Sequence, residues 1–379
     1  MLGTLCGSAY NGRNSRPARY RKEAEMRLAT VLAILTALAA CAPAPASPPR
    51  PAATTAVPAA APAAERAAPT PPPLEKVRVA YAAPSGSFAA PWVAKEAGLF
   101  EKYGLDAELT YIASGPTMNQ AMIAGELQFG ELAAPSSMNA YLEGGEIVWI
   151  TGAVSRPVLM MVAPPEIQRV EDLRGRPVGV TRLGTTTHTF MKLALRAAGL
   201  DPERDVQVLQ SGGVPETVAG LQTGRIYAGV TGPPSVFLTL QAGMHVLVSF
   251  ADLGIPWPFG GTITTRSYIA AQPERVRAYV KAYTEAIHLL RTDREQSVRA
   301  MAKYGDLADP AIAEQTWESF RPYFNLPPRP EAAAMETVVQ EELAAINPKA
   351  LGVPPDAYYD DRFVHELEDS GFVRQLENR

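Results

Sequence analysis

From residue 74 onward, short β-branched runs alternate with stretches whose apolar residues recur at helical spacing. Residues 77–81 read as a strand, 91–103 as a helix, 106–112 as a strand and 117–124 as a helix. Residues 127–132 return to strand, 136–142 to helix and 147–150 to strand. Strands that alternate with helices predict an α/β fold, a parallel sheet covered on both faces.

The same order recurs about a hundred residues later. Gly125, Gly130, Pro135, Ser136 and Gly144 have counterparts at a constant offset of 99 in Gly224, Gly229, Pro234, Ser235 and Gly243. Earlier in the unit the offset is 101: Val77 and Val79 answer to Val178 and Val180, and Ala97-Gly98-Leu99 to Ala198-Gly199-Leu200. Gly98 and Gly199 suit left-handed helix ends, and each Pro-Ser pair suits the start of the next helix. Two Rossmann-like lobes are therefore expected, 74–164 with 257–379 as the first and 165–256 as the second, with a ligand cleft between them. The crossings are placed at Ala163-Pro164-Pro165 outward and at 254–261 back, after which 262–265 re-enters the first sheet. Helices at 273–290, 295–303, 311–320 and 331–346 complete the first lobe. The first of them carries Val276, Val280, Tyr283, Ile287 and Leu290 on one face.

The N-terminal part reads differently. Residues 28–40 form a thirteen-residue, mainly apolar run behind Arg27, ending in small residues before Cys41. That is the layout of a secretory signal, and the run is short of the ~20 residues a membrane-spanning helix needs. Met26-Arg27 makes a better signal start than Met1, so 1–25 is set aside as an upstream extension or the product of a mis-called start. Residues 42–73 are nearly all Pro, Ala, Thr and Ser, a tract too poor in apolar surface to pack and expected to be a disordered, semi-rigid tether.

Charge and cysteine usage narrow the chemistry. The chain has 35 basic and 39 acidic residues; removing 1–40 takes six of the first and two of the second, leaving a net charge of −8. With no basic cluster, nucleic acid is not an expected partner. Of the two cysteines, Cys6 lies in the removed segment and Cys41 at its end, so the folded part offers no disulfide, thiolate metal site or cysteine nucleophile. No Gly-x-Ser-x-Gly, phosphate-loop or His-Glu-x-x-His motif is present, and His188, His245, His288 and His365 lack metal-ligand spacing. Neither an enzyme nor a cofactor is expected.

Three pieces carry a family resemblance: Pro91-Trp92-Val93-Ala94-Lys95-Glu96-Ala97-Gly98-Leu99-Phe100-Glu101-Lys102-Tyr103-Gly104-Leu105, Gln120-Ala121-Met122 with Gly125-Glu126-Leu127, and Glu171-Asp172-Leu173-Arg174-Gly175. Over about 77–290 the chain resembles the substrate-binding proteins of nitrate, sulfonate, taurine and thiamine-pyrimidine ABC importers. The resemblance implies a type II periplasmic-binding fold that closes on one small ligand by hinge motion and delivers it to an ABC permease in the membrane. The signal likewise resembles that of a bacterial lipoprotein, which implies lipidation of Cys41 and an extracytoplasmic, membrane-anchored body, expected to act as a monomer. A ligand-sensing subunit and a small-molecule enzyme of the same fold are the alternatives.

In open α/β sheets ligands sit at the carboxyl ends of strands, beside helix N-termini. Thr185, Thr186, Thr187 and His188 follow the strand at 178–180 and would offer hydroxyls, N–H donors and an imidazole, with Arg182 a candidate counter-charge. Ser85, Gly86 and Ser87 form the equivalent turn of the first lobe. Ala134, Pro135 and Ser136 pair with Thr231, Gly232 and Pro233, and Ser114 with Gly213. Trp92, Trp257 and Phe259 are candidate aromatic walls.

Overall fold

The computed structural model describes residues 73–379; the expected signal segment 1–40, Cys41 and the tether through residue 72 lie outside the described residues. In the first lobe β1 (Glu75–Tyr81), β2 (Leu105–Tyr111) and β3 (Phe129–Leu132) run parallel, with β4 (Ile147–Trp149) at one edge. The second lobe holds β5 (Met160–Ala163), β6 (Pro177–Val180), β7 (Gln207–Gln210), β8 (Gly229–Thr231) and β9 (His245–Ser249). β10 (Gly261–Thr265) then returns to the first sheet.

The sheet orders are β2-β1-β3-β10-β4 and β7-β6-β8-β5-β9. Each lobe thus has the same plan, with one antiparallel strand seated fourth, and that strand is supplied by the chain as it arrives from the other lobe. The outward crossing accordingly lies before β5, not at 163–165. Met160-Met161-Val162-Ala163 is an apolar run that would suit either sheet, and pairing with Val230 and Val246 puts it in the second. The return crossing passes through 254–260 beside the outward one: Val154 bridges Gly260, and the Trp257 and Phe259 N–H groups donate to the Ser155 and Val154 carbonyls. Two strands lying together in this way form the connection between the lobes.

Helix Ala89–Glu96 ends before Gly98, whose φ of 65° starts the separate helix Leu99–Lys102, so the predicted helix 91–103 is two. Helix Pro273–Thr292 lays its predicted face on the first sheet, and Phe129 stacks on Tyr279 at 3.9 Å. The predicted helix 331–346 is divided into Ala332–Val338, a π-helical turn Val339–Leu343 and Ala344–Ile346.

Candidate functional site

A cavity lies between the lobes at the carboxyl ends of their parallel strands. The space that water-sized centres can occupy there is about 90 Å³, several times the ~10–15 Å³ that one such centre fills. Five helices begin at it: Gly115–Ile123 and Pro135–Leu142 from the first lobe, Thr186–Ala197, Val214–Gln222 and Ser235–Gln241 from the second, represented in the wall by Gly115, Ser136, Thr186 with Thr187, Val214 and Ser235. A helix start offers unpaired N–H groups, fewer here because Pro116, Pro135 and Pro215 have none, and the positive end of a helix dipole, equivalent to roughly half a charge. Phe88, Leu132, Leu159 and Phe259 supply an apolar surround, and among the described residues no ionisable side chain lines the cavity.

The threonine turn is organised before any ligand contact. The hydroxyls of Thr181, Thr185 and Thr187 lie 2.9–3.0 Å from one another, the Thr181 N–H donates to Thr187 Oγ1, and Thr185 donates to the Arg182 carbonyl. Thr186 Oγ1 accepts from the Trp257 indole at 3.2 Å, which ties this helix start to the return crossing. Two other hydroxyls on the wall, Ser114 Oγ and Thr231 Oγ1, are sealed from solvent and have no hydrogen-bond partner among the described residues. Ser114 also holds φ 69° and ψ 149°, a conformation costly for any residue but glycine.

Of the residues expected at the site, Ser85, Ser114, Ser136, Thr185, Thr186, Thr187, Thr231, Gly232 and Phe259 line the cavity. The others stand beside it. Ser87 is fully buried with its hydroxyl on Ser85, and the Gly86 N–H donates across the cleft to the Pro233 carbonyl at 3.4 Å. Ala134 caps its helix and donates to the Pro258 carbonyl, with Pro135 next in line. A side chain on Gly213 would meet Tyr111 of the opposite lobe at 2.9 Å, so this glycine permits close approach of the lobes. Trp257 is enclosed against Phe190, and Arg182 is not on the wall.

Trp92 and His188 are corrections of greater weight. Trp92 is 1% exposed and packs edge-on to Tyr81 and stacked on Tyr304, because the apolar face of its helix turns to the core. His188 sits one residue past the cavity wall; its Nδ1 accepts the Gly184 N–H and lies 3.7 Å from Glu342. Gly115, which follows Ser114 in the strand-end pair expected at the cleft, also lines the cavity, and Ala82, Ala83, Thr181, Val214 and Ser235 line it without having been anticipated. Ser235 alone carried a sequence signal, as the repeat partner of Ser136.

Two like α/β lobes that meet over one small cavity at their strand ends define a two-lobed solute-binding protein of the periplasmic-binding fold. The chain belongs to the NMT1-like family, whose model matches residues 70–304. It is 30% identical over 239 residues to a protein of Brucella abortus (strain 2308) named as a binding protein, covering 60% of this chain and 71% of that one. It is 26% identical over 283 residues to a protein of Escherichia coli (strain K12) named as an aliphatic sulfonates-binding protein, covering 73% of this chain and 82% of that one. Among solved structures it shares its fold with the alkanesulfonate-binding protein SsuA of Xanthomonas axonopodis pv. citri bound to MOPS. That likeness has a TM-score of 0.60 at 20% identity, over 75% of this chain and 96% of that one. These relatives are named as binding proteins rather than enzymes.

Proposed function

We propose that this protein is the lipid-anchored, extracytoplasmic receptor of an ABC importer and captures a small organic anion with an apolar portion, of the short alkanesulfonate type. The observation that carries the ligand class is the cavity wall, where five helix starts and several hydroxyls converge without one ionisable side chain among the described residues. Backbone N–H groups and hydroxyls suit the oxygens of an oxoanion, and helix dipoles favour its charge. Phe88, Phe259, Leu132 and Leu159 suit a short hydrocarbon. An ammonium group on the ligand would find no carboxylate on the wall.

Thermal unfolding with ethanesulfonate, taurine, nitrate and an uncharged control tests this reading. A ligand that binds only the folded state stabilises it by about 2.7 kcal/mol at a hundredfold excess over Kd. Ethanesulfonate is expected to raise Tm most, with taurine and nitrate below it; a shift given by the uncharged control alone would reject an anion site.

The anchor has its own test. Cys41 closes a signal of lipoprotein layout, and a thioether-linked lipid there would hold the body at the membrane beside its permease, the body working as a monomer on the tether. Membranes of an expressing bacterial host are expected to yield a mature N-terminal peptide starting at acylated Cys41. Recovery of an unmodified Cys41 within a longer peptide would exclude the anchor.

A further inference from the structure

Beyond the cavity, the part of the molecule that the binding reading leaves unused is the segment 339–346. Its π-helical turn Val339–Leu343 packs on helix Pro135–Leu142 of the first lobe, yet the Glu342 side chain reaches the second. Glu342 is 0% exposed; its Oε2 lies 2.7 Å from Lys192 Nζ and its Oε1 3.7 Å from His188 Nδ1. Among the described residues no backbone N–H or hydroxyl reaches either oxygen. His188 and Lys192 are four residues apart, on one face of helix Thr186–Ala197, the helix that opens with the threonine turn. The next residues of the segment, Leu343 and Ile346, line a groove with Leu183 and Gly184 of the second lobe and Pro116 and Asn119 of the first. Ser136 lines both this groove and the cavity.

We infer that segment 339–346 is a strap from the first lobe to the second, and that Glu342 is a positioning residue which holds the threonine turn against the cavity through Lys192. A carboxylate taken fully out of water is stable there only while its cation stays beside it. Loss of either partner would leave the other's charge buried and unpaired in the closed arrangement, so closure depends on the pair although it touches no ligand. Burial pushes the Glu342 carboxyl up, but His188 and Lys192 outweigh this and hold it below the ordinary range, which keeps it charged. The extra residue of a π turn re-aims the side chains that follow, and such turns are frequent at functional sites. The consequence for affinity rests on the proposed function; the consequence for closure does not.

Native-state amide exchange on the full chain, with no ligand added, separates a strap from a merely structural pair. In Glu342→Gln, cleft-facing segments of both lobes, 112–118 and 181–190, are expected to exchange at least about tenfold faster, with strand segments 77–80 and 161–163 unchanged. Lys192→Met is expected to give the same pattern. The double variant Glu342→Met with Lys192→Met, which leaves no charge buried, should regain protection if either single variant folds poorly. Faster exchange confined to 339–346, or spread evenly through the strands, would overturn the inference. Wild-type protein that bound none of the tested anions would sink the ligand reading and leave this measurement intact.

Discussion

Stability of the wild-type protein is expected to fall steadily as pH rises from 5 to 9, and Glu131→Gln is expected to flatten that decline. Glu131 is fully buried on β3, on the same face as Phe129, under helix Pro273–Thr292. Its partners are the Thr262 hydroxyl and the Tyr283 phenol, which donates at 3.2 Å, and no cation stands by it among the described residues. Burial pushes its carboxyl from the ordinary 4.5 up to about 8, opposed only in part by those two hydrogen bonds. The folded state therefore binds this proton more tightly than the unfolded chain does. Its contribution is fully present below pH 4.5 and is lost as pH rises through about 8. At 1.36 kcal/mol for each tenfold change in proton affinity, the full difference is of order 5 kcal/mol. A glutamine keeps both hydrogen bonds, its amide donating to Thr262 and its carbonyl accepting from Tyr283, and does not ionise. Urea midpoints taken at each pH should match at pH 5 and favour the variant by pH 9. A glutamine variant that retains the wild-type slope would show that other groups govern the decline.

The second large effect concerns Ser114 and Thr231, which face each other's lobes across the cavity with unpartnered hydroxyls. An oxoanion that accepts from both would gain about 1.5–3 kcal/mol from each. Ser114→Gly combined with Thr231→Val is therefore expected to weaken ethanesulfonate binding by at least about a hundredfold. The same double variant should be more stable than wild type without ligand. Glycine relieves a backbone strain of about 1–3 kcal/mol at position 114, and valine removes a buried hydroxyl that nothing satisfies. Calorimetric binding and thermal melts read the two effects separately. A variant that is weaker in binding and also less stable would mean that these hydroxyls support the fold, not the ligand. Thr186 and His188, both in the threonine turn expected from the sequence, are a poorer choice for such a test. Thr186 holds Trp257, and His188 stands beside Glu342, so their loss would disturb closure and binding together.

Helical and strand periodicity, with glycines and prolines at repeat spacing, sufficed to expose two like lobes and a cleft. Both signals are local: side chains alternate along a strand and recur by turns along a helix, whatever the rest of the chain does. Strand-end turns were legible for the same reason, and nine of the expected residues do line the cavity. What lay beyond reach was direction and partner. Met160–Ala163 is an apolar strand in any setting, and only pairing with Val230 and Val246 assigns it to the second lobe. Trp92 looks equally apt for cleft or core until Tyr304, more than two hundred residues away, stacks on it.

The sequence by itself determined the two-lobed α/β plan, the hydroxyl-rich turns at the cleft, the absence of thiol chemistry from the body, and a lipoprotein-like start ending at Cys41. Among the described residues, tertiary structure decided which hydroxyls are left without partners, that no charged side chain enters the cavity, and that Glu342 crosses from one lobe to Lys192 of the other. The physical reason is range. Periodicity and turn chemistry act over a few residues, whereas burial and ion pairing depend on surfaces that meet only after the chain has crossed between its lobes twice.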